Sequence, residues 1–110
     1  MAEREIAELK KEIEKIFSEK HIKLDKVVLF GSSARKSANK NSDVDLLFIS
    51  KAFRNKKLND IYKMVSGVNR ALVNKFDRPF DTIFYSDVDW NLGSSLIVSE
   101  AKNNGVVILG

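Results

Sequence analysis

VVLFGSSARKSANKNSDVDLLFIS, residues Val27 to Ser50, decides how the rest of this chain is arranged. It opens on Val27-Val28-Leu29-Phe30, a short apolar run fit for a buried strand. Gly31 and Ser32 follow, a corner where the backbone can turn and approach a ligand closely. The polar loop Ser37 to Ser42 leads to Asp43 and Asp45, and Leu46-Leu47-Phe48-Ile49 continues as a second buried strand. A corner suited to phosphate and a pair of acids suited to a cation therefore stand close together.

Residues two apart on a strand point to one face. Asp43 and Asp45 thus project together, with Cα atoms about 7 Å apart. Two acids leading straight into an apolar strand cost stability, and a cation would offset that cost. Mg²⁺ suits such a pair, because it shares oxygen ligands between carboxylates and substrate phosphates. The plainer alternative is two solvated acids at a frayed strand start. At the corner, Ser32 and Ser33 can cap the short helical turn expected to begin at Ser33-Ala34-Arg35. Amides at a helix start attract phosphate, and Arg35 adds a charge-assisted contact. The plainer alternative there is an ordinary strand-to-helix turn.

Several rival motifs are excluded. A Walker loop starting at Gly31 needs a second glycine where Lys36 stands, and no Gly-x-Gly-x-x-Gly occurs. An EF-hand needs a central glycine and a closing glutamate, but apolar residues follow Asp45. Phosphatases with an Asp-x-Asp nucleophile carry the acids after an apolar strand, and here they precede it.

Gly31-Ser32, ten residues, then Asp43-x-Asp45 and an apolar run resembles the signature of the polymerase-beta-type nucleotidyltransferases. Within them, GSSAR and SDVDLLF are similar to the minimal nucleotidyltransferases of prokaryotes, often the antitoxin half of a pair with a HEPN-domain protein. Many relatives read GSxARG, and Lys36 replaces the last glycine. The resemblance implies that Asp43 and Asp45 hold Mg²⁺, two ions in all, and that ATP is the substrate. It implies that Gly31 and Ser32 seat the outer phosphates, with Ser33 and Arg35 beside them. It also implies a third carboxylate from a strand next to the Asp-x-Asp strand. Asp81, near the start of Phe80 to Tyr85, is the matching position, as a metal ligand and as the base for the attacking hydroxyl.

The rest of the chain fits around this centre. Its 110 residues suggest one domain spanning 1–110, and the net charge of +4 is too mild to imply nucleic acid. There is no cysteine, hence no disulfide and no thiolate metal site. No apolar run reaches the length of a membrane span, so a cytoplasmic protein is expected. Ala2 to Lys20 reads as a helix with Ile6, Leu9, Ile13, Ile16 and Phe17 on one stripe. His21 reads as a surface residue at its end. The basic run Lys51 to Lys57 reads as a solvated loop with Phe53 tucked beneath it. Leu58 to Phe76 reads as one helix, in which Gly67 marks a cost or a close contact. Asp87 to Asn104 reads as a turn and a helix, with Leu92, Leu96 and Ala101 facing inward together with Ile97 or Val98. Trp90 is either core or an exposed anchor. Val106-Val107-Ile108-Leu109 reads as a last strand at an edge or under the first helix, and no large domain is expected beyond it.

The expected architecture is α/β: the polymerase-beta-type nucleotidyltransferase fold, a small mixed sheet with helices mainly on one face and the acids on the open face. The expected function is transfer of AMP from ATP to a hydroxyl, on a HEPN-type toxin that this chain neutralises. One alternative is a non-catalytic antitoxin that covers its partner. Another is an enzyme modifying a small molecule such as an aminoglycoside, for which the chain is short. A hetero-oligomer or a homodimer would supply the missing acceptor site.

Overall fold

The computed structural model describes residues 1–34, 43–93 and 95–110. The chain forms α1 (Glu3–Glu19), β1 (Lys26–Phe30), a 3-10 turn (Gly31–Ala34), β2 (Val44–Ile49), a second 3-10 turn (Lys51–Phe53), α2 (Leu58–Met64), α3 (Val68–Phe76), β3 (Phe80–Tyr85), α4 (Asp87–Leu92), α5 (Leu96–Asn104) and β4 (Val106–Leu109). The strands lie in the order β3-β2-β1-β4. β1 pairs antiparallel with β2 and β4, whereas β2 and β3 run parallel. A parallel pair needs a crossover, and α2 and α3 supply it. This is the mixed α/β sheet that the sequence predicts, with the last strand at an edge.

Alternation along the strands builds two layers of core. Val27, Leu29, Val44, Leu46 and Phe48 face the side where α1 lays down Leu9, Ile13 and Phe17. Phe48 stacks between Phe17 and Phe84, with ring centroids 5.2 and 5.1 Å away. The α2 and α3 residues Ile61, Val65, Val68 and Leu72 complete this layer. Val28, Phe30, Leu47 and Ile49 face the opposite side, where Val98 and Ala101 of α5 cover them. The face with the parity of Asp45 is therefore not open along its length, as the sequence suggests; α5 roofs part of it.

Two expected helices are each divided. Gly67 adopts φ +86°, a conformation that costs an L side chain energy, and it separates α2 from α3. A Cβ placed there would meet nothing within 4 Å, so the glycine serves the dihedral and not close packing. The second break falls at Gly93, the C-cap of α4. Ser86 and Ser95 cap the two helices, their hydroxyls accepting from the Asp89 and Val98 amides at 3.1 and 3.0 Å. The break resets the helical frame. Val98 and Ala101 turn inward, but Leu92 and Leu96, expected in the core, are 71% and 90% exposed. Among the described residues no helix is long and apolar enough to cross a membrane.

Candidate active site

The sheet register brings two of the three expected acids side by side. Asp45 lies opposite Asp81 across the parallel β2–β3 ladder and opposite Phe30 on its other side. Adjacent strands stand about 4.8 Å apart. Asp43 immediately precedes β2 and is exposed, Asp45 is half-buried, and Asp81 is exposed. All three have the same parity, so they share the face roofed further along by α5.

Gly31 directly follows Phe30, and this places the corner against Asp45. A Cβ at Gly31 would overlap Asp45 Oδ2 and stand 3.1 Å from its Cγ. Its φ of +68° is also one that glycine tolerates best. The corner is thus glycine first for the Asp45 carboxylate, a reason that the sequence alone does not reveal. Ser32 and Ser33 belong to the 3-10 turn Gly31–Ala34, which starts two residues earlier than expected. Ser32 is exposed. Arg35, Lys36 and the loop Ser37 to Ser42 lie outside the described residues.

The electrostatics fit a cation site. Burial raises the Asp45 pKa, and the charges of Asp81 and then Asp43 raise it further. Among the described residues, no group of three or more His, Cys, Asp or Glu closes into a metal cage. Mg²⁺ does not require one, because it is held by one or two carboxylates together with waters and substrate phosphates. A half-buried carboxylate crowded by two others is a donor set that such an ion would relieve.

Other charged groups are engaged or solvated. Asp87 accepts from Arg54 Nε at 2.7 Å and also from Nη2, an ion pair between distant segments that the sequence gives no sign of. Phe53 is buried beneath the basic run while Lys51, Arg54, Lys56 and Lys57 are exposed, as expected of a solvated loop. His21 is exposed at the end of α1. Trp90 packs half-buried beside the α5 layer, with Lys102 Nζ 5.1 Å from its ring centroid.

Residues 10–107 match the family model of the nucleotidyltransferase domain, and the chain belongs to that family. This defines the class of protein: an enzyme domain that transfers nucleotidyl groups. No curated protein matches the chain. Among solved structures, it is similar to a toxin–antitoxin with AMP-PNP (TM-score 0.63, 19% identity, covering 92% of this chain and 73% of that one). It is similar to a candidate nucleotidyltransferase from Sulfolobus solfataricus (TM-score 0.59, 24% identity, 94% and 78% covered). A third is a complex of tri-AMPylated Shewanella oneidensis HEPN toxin with MNT antitoxin (TM-score 0.54, 19% identity, 92% and 69% covered). At these identities the likeness is one of fold.

Proposed function

We propose that this chain is a Mg²⁺-dependent nucleotidyltransferase that moves AMP from ATP to a hydroxyl of a HEPN-type partner protein in the cytoplasm, and so acts as an antitoxin. The observation that carries the reading is the register of Asp45 against Asp81, with the Gly31 corner seated on the Asp45 carboxylate. The similar complexes, one with AMP-PNP and one of an AMPylated HEPN toxin, support the class of nucleotide and of partner.

In this reading the Gly31–Ala34 turn seats the outer phosphates of ATP, with Ser33 and Arg35 adding contacts. Asp43, Asp45 and Asp81 would hold Mg²⁺, two ions in all, and the bound ions would supply the charge that offsets what develops on the phosphates. The acceptor oxygen attacks the α-phosphorus, the bond to the bridging oxygen breaks, and pyrophosphate leaves. Asp81, at the exposed end of the site, takes the proton of the attacking hydroxyl.

A second reading is that the chain neutralises its partner by covering it. The exposed Leu92 and Leu96, at the α4–α5 junction, favour a surface of that kind. Asp81→Asn separates the two. It should still bind ATP, because Gly31 and Asp45 are intact. It should lose transfer of labelled AMP by about 100- to 10,000-fold, the usual range for a general base. It should also lose protection of cells from the partner while the complex persists. Protection equal to wild type would mean that covering is the function.

A further inference from the structure

Among the described residues β3 is an outer strand of the sheet, and the edge it leaves free there adjoins Asp81. Two bonds fix its parity. The Val44 amide donates to the Pro79 carbonyl at 2.9 Å, and the Ser50 amide donates to the Tyr85 carbonyl at 3.2 Å. The main-chain groups of odd-numbered β3 residues therefore face β2, and those of Phe80, Thr82 and Phe84 face away from the sheet. The Asn69 side-chain amide covers the first of these, donating to the Phe80 carbonyl at 2.8 Å and to Thr82 Oγ1 at 3.1 Å. The main-chain N–H and C=O of Thr82 and Phe84 meet no other partner among the described residues. A cavity of about 480 Å³ runs beside them, lined by Tyr62, Ser66, Asn69, Arg70 and Thr82.

We propose that the acceptor hydroxyl arrives on an extended segment of the acceptor protein that pairs with the free edge of β3 as a fifth strand. The inference rests on the nucleotidyl-transfer reading above. A strand satisfies the outward N–H and C=O groups of Thr82 and Phe84, which a helix or a rigid convex surface does not. The register then does the positioning. In antiparallel addition, Asp81 falls at a non-hydrogen-bonded pair, where Cα atoms approach to about 4.5 Å and side chains share a face. A hydroxyl-bearing residue opposite Asp81 is delivered to its carboxylate. Across the sheet the order becomes acceptor hydroxyl, Asp81, Asp45 and Gly31 corner, the order that attack on a seated phosphate requires. The flanking residues of the segment point to the other face, into the cavity. Arg70, exposed on its rim, favours an acidic residue there. The opposite edge, at β4, has β1 and β2 between it and β3 and cannot deliver a hydroxyl to Asp81.

The test uses Thr82→Pro, Thr82→Val and wild type, with the purified HEPN-type partner as acceptor and labelled ATP. Proline at 82 removes an edge N–H that the protein's own ladder does not use, and proline is tolerated on edge strands. Valine loses the same hydroxyl contact with Asn69 but keeps the N–H. All three should bind ATP alike by calorimetry. Thr82→Pro should label the partner at least ~10-fold more slowly, as expected for lost strand pairing, and Thr82→Val within about threefold of wild type. Amide hydrogen exchange on the wild type supplies a readout that needs no variant. With partner and AMP-PNP present, the Thr82 and Phe84 amides should exchange at least ~10-fold more slowly. If Thr82→Pro labels as fast as wild type, or those amides are not slowed, edge pairing is wrong and nucleotide transfer stands. Should the proline variant fail to fold, the exchange experiment decides alone. If the wild type labels nothing, the proposed function falls and this inference with it.

Discussion

Replacing Gly31 by alanine adds one methyl group, and the structure states what it strikes. The new Cβ overlaps Asp45 Oδ2 and lies 3.1 Å from Cγ, on a backbone at φ +68°. The dihedral alone costs about 1–2 kcal/mol for an L residue. The overlap is with the end of a half-buried side chain, so it is relieved by swinging the carboxylate away rather than by unfolding. Each kcal/mol lowers Tm by roughly 4–8 °C in a chain near this size. Gly31→Ala should therefore remain folded at 25 °C with a reduced urea midpoint. Transfer activity should fall further than stability implies, since a misplacement of 1 Å in a reacting array costs about 100-fold. A double-mutant cycle isolates the cause. With Asp45→Ala in the background, Gly31→Ala retains only the dihedral cost, so the two changes should couple by about 0.5 kcal/mol or more. Urea unfolding of the four metal-free proteins measures it. If the Gly31→Ala cost is the same with and without the Asp45 carboxylate, that carboxylate is not what requires glycine at the corner.

Asp45 also predicts a pH dependence. Its pKa is raised above the ordinary 3.8 by burial and by Asp81 and Asp43, so between the unfolded and folded values the native state holds the extra proton. Stability attributable to Asp45 thus falls as pH rises through that window and stays lower above it. Asp45→Asn should make the metal-free protein as stable or more stable at neutral pH, with the difference vanishing below about pH 4, as followed by Tm across pH; a less stable variant at neutral pH refutes the electrostatic picture. At the α2–α3 break, Gly67→Ala should cost about 1–2 kcal/mol for its positive φ alone, and Gly67→Asn less, since asparagine visits that conformation and nothing crowds a Cβ there. Equal urea midpoints for the alanine variant and wild type would remove the dihedral argument.

What the sequence made legible was what local chemistry decides. The runs Val27 to Phe30 and Leu46 to Ile49 are apolar enough to be strands in any context, and both are buried. The stripe Leu9, Ile13 and Phe17 declares its helix and its buried face at once. The misses came where one dihedral outweighs periodicity. From Leu58 to Phe76 apolar residues recur at helical spacing, and Gly67 reads as a small cost. Yet the residue takes a left-handed conformation, and the periodicity belongs to two helices. The same happens at Gly93. There the reset of frame sends Leu92 and Leu96 to solvent while Val98 and Ala101 stay inside. Spacing counts residues along the chain and carries no record of a rotation between two helix axes.

The candidate site shows the same division more sharply. That Asp43 and Asp45 share a face follows from strand geometry alone. That Asp81 stands beside Asp45 depends on the parallel register of β2 and β3, set by a crossover of 30 residues through two helices before the chain returns. Only the resemblance to a family, not the residues between, pointed to Asp81. The register makes Asp81 the outermost of the acids, on the strand with a free edge, while Asp45 is enclosed between Phe30 and Asp81. An enclosed carboxylate held against the Gly31 corner, which is proposed to seat phosphate, suits a fixed ligand to a cation. A carboxylate at the margin suits the partner that changes, the incoming hydroxyl. The division of labour proposed for the two acids follows from their positions in the sheet, although they are the same residue type.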